Sequence, residues 1–371
     1  MVRVIHVFIL AGLICCLWPS ALQAEPGRSV TDASGRTVQI PDQVERIICS
    51  GPGCLRLVTY LQAQDRVVAV DDIETRRRTF DARPYALANP QFKTMPVFGA
   101  FRGQDNPERI LSLDPQPEVI FKTYPSMGHD PVELQSKTGI PVVTLSYGDL
   151  GKLRPKLFHS LRLLGRVLGK PERAKAVIEF FQEHIRTLEG RSADVPAGQR
   201  PRVYIGGVAF KGAHGYRSTE PGYPPFEFVK ARNVAYDAVL SEKEVRHSVV
   251  SKETVLQWDP DYLFLDLATL QLGGEAGGLS QLKNDPAYGV LTAVKRGRVY
   301  GLLPYNWYTK NFGSILANAY FLGQLLYPQR FADLDPEAKA DEIYDFLVGE
   351  PVMSQMDRMF NGLAFERLPL D

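Results

Sequence analysis

The stretch PERAKAVIEFFQEHIRTLEGR, residues 171–191, decides the fold of this chain. Its apolar residues recur three or four positions apart and therefore share one face of a helix; they are Ala174, Val177, Ile178, Phe181, Ile185 and Leu188. Proline at position 171 suits the first turn of a helix. The polar segment SADVPAGQRP, residues 192–201, then ends the pattern with Pro and Gly. The sequence predicts one long amphipathic helix here, preceded from about residue 150 by another.

Strand patterns alternate with helical patterns on both sides of this helix. Before it stand the apolar runs RIICS, RVVAVD, EVIFKTY and IPVVTLSY, separated by helical segments such as CLRLVTYLQAQ and VELQSKTG. After it stand RVYIGGV, DYLFLDL and GRVYGLL. Strands separated by helices at this spacing form mostly parallel sheets covered on both faces. The predicted fold class is α/β, with two lobes, each a mostly parallel sheet flanked by helices, joined by one long interdomain helix with a ligand cleft between them.

The first 24 residues have the features of a secretory signal. Arg3 precedes an apolar run over residues 7–18, and small residues lead to a cleavage site after Ala24. The apolar run is too short for a membrane span, which needs about 20 residues. We therefore predict a signal peptide at 1–24, an N-terminal lobe at 25–149, a helical region at 150–191 and a C-terminal lobe at 192–371. The mature protein is expected in the periplasm; a lipid anchor at Cys16 is the alternative.

Charge and cysteine content narrow the class of protein. Removal of the signal takes only Arg3 from the 43 basic residues, which leaves 42 against 42 acidic ones. No nucleic-acid partner is implied. Cys49 and Cys54 remain, either as a small disulfide across a turn or as two buried thiols. The chain has no GxSxG, GxxxxGK[ST], HExxH or CxxC motif, so we expect neither an enzyme nor a resident cofactor or metal.

Five motifs occur in an order typical of one family. They are TDASGRTVQIP with RII, NPERILSLDPQPEVIF, GKPERAKAVIEFF, SKETVLQWDPDYLFL and AYGVLTAVKRGRVYGL. With them the chain resembles the helix-linked substrate-binding proteins of ABC importers for iron-siderophore, haem and cobalamin. The resemblance implies a monomer that delivers a small ligand to a permease dimer. It also implies that Glu108 in NPERI and Glu253 in SKETV dock onto arginine pockets of the permease; the alternative is that each is an acid favourable to its helix dipole.

Ligand residues are expected where strands end, because open α/β sheets bind at the carboxyl ends of their strands. The candidates are basic, aromatic or polar residues in such loops: Ser50, Arg102, Lys122 and Tyr124 in the first lobe, and Lys211, His214, Tyr216, Arg217, Arg246, Trp307 and Tyr308 in the second. Cations meet anionic groups and rings cover a bulky ligand. The set predicts an anionic small molecule.

Three ligand classes follow from this set. A metal chelate, whether iron-siderophore, haem or corrinoid, leads; it needs an open groove with aromatic walls. A small oxyanion such as molybdate or tungstate is the alternative, and it needs several donors converging on one point. A bare transition metal held by His129, His214 and His247 is the third, although no short-spaced histidine pair supports it.

Overall fold

The computed structural model describes residues 27–76, 78–239 and 247–370. Its strands are β1 (Gly27–Thr31), β2 (Thr37–Pro41), β3 (Ile47–Ser50), β4 (Val67–Asp71), β5 (Val97–Ala100), β6 (Gln104–Asp105), β7 (Val119–Thr123), β8 (Val142–Leu145), β9 (Arg202–Gly206), β10 (Ser218–Thr219), β11 (Arg232–Asn233), β12 (Ser248–Val249), β13 (Tyr262–Asp266) and β14 (Val299–Leu302).

The α-helices alternate with these strands and then close the chain. They are α1 (Cys54–Tyr60), α2 (Asp72–Thr75), α3 (Pro84–Ala88), α4 (Pro107–Leu111), α5 (Pro131–Thr138), α6 (Arg154–Val167), α7 (Pro171–Arg191), α8 (Pro224–Phe228), α9 (Val234–Val239), α10 (Lys252–Trp258), α11 (Gly278–Asn284), α12 (Thr292–Lys295), α13 (Phe312–Leu326), α14 (Pro336–Val348) and α15 (Met353–Met359).

Each lobe is built on a parallel sheet. The first lobe has six strands in the order β6-β5-β4-β3-β7-β8, parallel except for β6. The second has four parallel strands in the order β11-β9-β13-β14. Every residue of β3, β7 and β8 is buried, as expected for strands covered on both faces. The predicted α/β fold with two lobes is confirmed.

Helix α7 is the predicted long helix between the lobes. Its apolar face is buried as the periodicity indicates. The ring of Phe181 has its centroid 6.0 Å from that of Tyr60 in α1 and 5.9 Å from that of Phe312 in α13. The helix is thus fixed by apolar packing to elements that precede it and follow it, which favours a stiff connection.

Two half-motifs flank this helix: NPERILSLDPQPEVIF before it and SKETVLQWDPDYLFL after it. Their structures match. Residues 107–111 form α4, and β7 follows after Asp114 and Pro115; α10 is likewise followed by Asp259, Pro260 and β13. A short helix, Asp-Pro and an apolar strand therefore follow one another in both lobes.

Helices α13 to α15 were not anticipated from the sequence. Helix α13 is buried almost all round, and α14 packs on it and also contacts α1 and α3 of the first lobe. Arg173 of α7 donates a hydrogen bond to the carbonyl of Phe346 in α14. The C-terminal helices therefore cover the junction of the lobes. The limits of the four regions predicted above stay predictions.

The two mature cysteines are free thiols. Cys49 and Cys54 are both buried, and the Cys54 thiol lies 3.4 Å from the carbonyl oxygen of Phe121, to which it donates. Burial raises the pKa of Cys49 well above its usual range. The sequence left open a disulfide or two buried thiols, and the structure shows the two buried thiols. Among the described residues, no helix combines the length and apolar character that crossing a membrane requires.

Truncation of Phe181 tests the central role of α7. Phe181→Ala removes a fully buried ring and is expected to lower the free energy of unfolding by about 3–5 kcal/mol, because a cavity remains. Urea denaturation measures the loss. Glu189→Ala, an exposed change on the same helix, is the matched control and should cost less than about 0.5 kcal/mol. Equal effects of the two variants would contradict this role of Phe181.

Candidate functional site

The loops at the carboxyl ends of the strands contain unusual backbone conformations. Positive φ angles occur at Arg102 (64°) after β5, Tyr124 (50°) after β7, Lys211 (57°) after β9, and Tyr308 (49°) and Thr309 (64°) after β14. A β-branched residue such as Thr309 rarely adopts this conformation. Strained backbone collects at functional sites because the surrounding structure must enforce it. The strand ends facing the other lobe are therefore the candidate site.

One segment crosses the cleft. Residues 303–311, here called the bridging loop, connect β14 to α13. Tyr308 in this loop donates a hydrogen bond from its hydroxyl to Asp71 Oδ2 of the first lobe, 2.6 Å away, and accepts one from the backbone N–H of Arg102 at 3.1 Å. The hydroxyls of Thr309 and Tyr124 lie 2.7 Å apart. These contacts join the lobes at the floor of the cleft.

A buried arginine holds the bridging loop. Arg56 of α1 is 1% exposed, and its guanidinium donates to the carbonyls of Lys310 at 2.8 Å and Trp307 at 3.1 Å. It also donates to the hydroxyl of Tyr147. Arg56 is not among the site residues that the sequence predicts. The sequence does contain a signal, a single charge inside the apolar run CLRLVTYL. An isolated charge in such a run is buried only where hydrogen-bond or ion-pair partners are present.

A cluster of acids lies below Tyr308. Arg83 pairs with Glu74 at 2.8 Å and with Asp81 at 2.7 Å, and the Tyr85 hydroxyl donates to Glu74 at 2.7 Å. Asp71 has no such cation; its Oδ1 has no hydrogen-bond partner in the described part of the chain. Burial, reinforced by the charge of Glu74, raises the pKa of Asp71 to about 8. The protein therefore favours the protonated form of Asp71 more than water does.

Cations gather at the ends of β4 and β5. The guanidinium carbons of Arg76 and Arg102 lie 4.8 and 5.1 Å from the ring centroid of Phe101. Asp72 positions this corner, since its carboxylate accepts from the N–H of Phe101 and pairs with Arg76. Arg76 was not among the predicted site residues, although the run of three arginines at 76–78 was a visible signal.

Arg78 is the second cation missed from that run. It is half-buried, and its Nε atom has no hydrogen-bond partner among the described residues. Burial lowers the pKa of Arg78, and the positive charge of Arg83 lowers it further. A guanidinium nitrogen shielded from water with no acceptor is costly. An anion at this position would supply the missing acceptor.

Two predicted ligand residues of the first lobe are engaged inside the protein. Lys122 is fully buried, and its ammonium lies 2.7 Å from Asp105 Oδ2 and 2.9 Å from the hydroxyl of Ser50. Ser50 in turn donates to Asp105 at 2.9 Å. These groups bind one another below the strand ends through Asp105 Oδ2, whereas Asp105 Oδ1 has no hydrogen-bond partner among the described residues. Arg102 and Tyr124, by contrast, reach the cleft floor through the contacts described above.

The candidate ligand residues of the second lobe also divide into exposed residues and residues buried inside the protein. Lys211 and Arg217 are exposed, whereas Tyr216 is fully buried with its ring packed against those of Tyr204 and Tyr288. Tyr216 fits because Gly206 has no side chain; a Cβ there would lie 2.5 Å from the Tyr216 ring.

Tyr216 therefore belongs to the core of the second lobe. Trp307 is 7% exposed and meets the ring of Phe360 edge-on, so its indole belongs to the lobe junction. Arg246 lies outside the described residues.

Two histidines of the second lobe are neighbours. The rings of His214 and His247 have centroids 5.4 Å apart, and Phe210 stacks on His247 at 4.5 Å. His129 lies in the first lobe, where its backbone N–H donates to Gly103. Across the residues described, no group of three or more His, Cys, Asp or Glu side chains is arranged to hold a metal ion. The three histidines predicted as a metal site are therefore not brought together.

The two predicted docking acids occupy equivalent positions. Glu108 and Glu253 are exposed in the first turns of α4 and α10. Asn106 caps α4 and Ser251 caps α10 by accepting from a backbone N–H three residues on. The geometry fits both a docking role and a favourable interaction with the helix dipole.

The fold and the cleft define a class of protein. The chain belongs to the periplasmic binding protein family, whose model matches residues 47–305. It is a substrate-binding protein of an ABC importer and has two lobes.

Particular relatives follow from sequence and structure. The molybdate-binding protein MolA of Haemophilus influenzae is 27% identical over 354 residues, covering 90% of this chain and 94% of the relative. Its molybdate-bound structure has a TM-score of 0.66 at 22% identity and covers 87% of this chain and 98% of its own. A solute-binding protein of Veillonella parvula has a TM-score of 0.69 at 19% identity, with 91% and 97% covered. A periplasmic haem-binding protein of Pseudomonas aeruginosa has a TM-score of 0.54 at 23% identity, with 77% and 93% covered.

Replacement of Asp71 tests the buried acid at the cleft floor. Its pKa rises from 3.8 to about 8 on folding, so folding favours the protonated form and the protein should lose stability as pH rises from about 4 towards 8. Asp71→Asn should flatten this dependence, since the amide cannot ionise. Urea unfolding at pH 5, 7 and 9 measures it, with the exposed Asp345→Asn as control. The same slope in both variants would contradict the assignment.

Proposed function

We propose that this protein captures a small oxyanion of the molybdate or tungstate type and delivers it to an ABC importer. The observation that carries the proposal is the half-buried Arg78, whose Nε lacks an acceptor among the described residues. It stands in the same loop as Arg76, and both follow β4 at the edge where open sheets bind ligands. Arg102 reaches the same corner from the end of β5. Guanidiniums in the loops at one edge of the sheet suit a compact anion.

The bridging loop also favours a small ligand. Tyr308 and Thr309 hydrogen-bond to the first lobe and so narrow the floor of the cleft. A bulky metal chelate, the first expectation from the sequence, needs an open groove between the lobes. The relative MolA, which aligns over most of both chains, binds molybdate. These observations rank the oxyanion above the chelate.

Calorimetric titration tests the ligand directly. We expect molybdate and tungstate to bind, and a ferric hydroxamate and haem not to bind. In thermal denaturation, molybdate at one hundred times its Kd should stabilise the fold by about 2.7 kcal/mol. Binding of haem or the hydroxamate with no response to molybdate would overturn the oxyanion proposal and would favour a metal chelate as the ligand.

Loss of a single guanidinium should weaken the complex. Arg78→Gln removes a charged donor and is expected to raise the Kd for molybdate roughly 10- to 100-fold, because a hydrogen bond to a charged group contributes about 1.5–3 kcal/mol. Lys175→Gln, an exposed cation on α7, is the matched control and should leave Kd unchanged. Equal Kd values for the Arg78 variant and the control would remove Arg78 from the site.

We propose that the protein works as a periplasmic monomer and docks through Glu108 and Glu253. The double variant Glu108→Ala/Glu253→Ala should bind molybdate normally but fail to stimulate ATP hydrolysis by its reconstituted importer, because the carboxylates meet cationic pockets. Glu350→Ala, an exposed acid elsewhere, should behave as wild type. Full stimulation by the double variant would leave the two acids with a helix-dipole role alone.

A further inference from the structure

The imidazoles of His214 and His247 form a pair whose hydrogen bonds define their protonation. The Oγ of Ser218 donates to the carbonyl of Val208 at 2.7 Å. This Oγ therefore accepts from His247 Nε2, which lies 2.9 Å away. His214 Nε2 lies 2.7 Å from the carbonyl oxygen of Phe210 and must donate to it. Both neutral rings thus carry their proton on Nε2.

The Nδ1 atoms are left with lone pairs. No hydrogen bond to either Nδ1 is made within the described ranges of the chain. Each Nδ1 is therefore the atom at which the ring takes up a second proton. Once protonated, Nδ1 becomes an N–H donor with a positive charge. With ring centroids 5.4 Å apart, the two rings are close enough for both to approach one tetrahedral anion.

The surroundings of His247 disfavour its charged form. Burial lowers the pKa of His247, and the neighbouring His214 lowers it further. Lys211 and Arg217 on the same loop are cations, and the loop that packs on Gly215 contributes one acid, Glu275. Ser218 and Phe210 supply no charge. The charge of these described neighbours is positive, which disfavours protonation of His247 until a negative charge arrives.

We infer that His214 and His247 are ligand-contacting residues that couple capture of an oxyanion to proton uptake. The inference rests on the proposed function. The pair lies beyond the end of β9, and Asn306 of the bridging loop donates to the carbonyl of Ala209 at 2.7 Å. The histidine pair therefore flanks the same cleft as Tyr308. A bound dianion favours protonation at each Nδ1, and the resulting N–H groups then bind the anion.

The linkage predicts the sign and size of the pH effect. Each proton taken up on binding makes the affinity rise about tenfold per unit fall in pH over the range in which the imidazoles titrate. Because there are two imidazoles, the uptake of two protons sets the upper limit of this pH dependence. A protein with fixed cations alone would show no such slope between pH 5.5 and 8.

Calorimetry with molybdate from pH 5.5 to 8, in two buffers of different ionisation enthalpy, measures both affinity and proton uptake. We expect the wild type to bind molybdate more tightly as pH falls and to take up protons on binding, at most two for each anion. In the Asp71→Asn background, where the buried acid of the cleft floor no longer titrates, His214→Gln/His247→Gln should lose the slope and the uptake that Asp71→Asn alone retains. Glutamine retains an amide donor, and circular dichroism checks the fold. His159→Gln, an exposed histidine on α6, is the control and should keep both.

The outcomes separate the two proposals. Molybdate binding without a pH slope, or a slope that persists in the double variant, overturns the coupling and leaves the oxyanion function intact. No binding of molybdate at any pH overturns both. Zinc ions binding alone to the wild type but not to the double variant would overturn the coupling in favour of a metal site. A titration of the imidazole NMR signals that moves to higher pH on adding molybdate supports the coupling without any variant.

Discussion

The buried guanidinium of Arg56 is the interaction on which the rest of the site depends. It lies in the first helix of one lobe and binds backbone carbonyls of a loop that belongs to the other. A fully desolvated charge must find several acceptors, because an uncompensated one costs several kcal/mol. The carbonyls of the bridging loop accept from the two terminal nitrogens of Arg56 only when the loop crosses the cleft, while its Nε has no hydrogen-bond partner among the described residues. The position of Tyr308 above Asp71 follows from it.

The floor of the cleft is consequently a mixture of apolar packing and buried polar groups. Asp71 is held in a place where its charge is unfavourable, while Glu74 and Asp81 share Arg83. Lys122 and Asp105 form a separate buried pair under the first-lobe strands. Such pairs add little net stability but specify one arrangement of the neighbouring backbone. The left-handed residues at the strand ends are held by this framework, which gives the site a fixed shape before any ligand arrives.

The distribution of charge fits the proposed capture of an anion by a protein whose basic and acidic residues nearly balance. The cations concentrate at the corner formed by Arg76, Arg78 and Arg102, and at the loop of Lys211 and Arg217 in the other lobe. Many acids are used in internal pairs or helix caps, where they no longer oppose an incoming anion. The cations of the first lobe therefore stand beside a cleft whose floor is already closed by hydrogen bonds.

The sequence by itself determined the parallel sheets, the long helix α7 and the matched half-motifs, because period and turn residues are local properties that survive whatever the chain packs against. It also indicated the loops of the site. It did not determine which side chains of those loops face the cleft. Lys122 and Tyr216 look like ligand residues in the sequence, yet one pairs with Asp105 and the other fills the space left by Gly206. Arg56 looks like a helix charge and instead joins the lobes. Only the tertiary structure decides these cases, since burial and pairing arise between segments far apart in the chain.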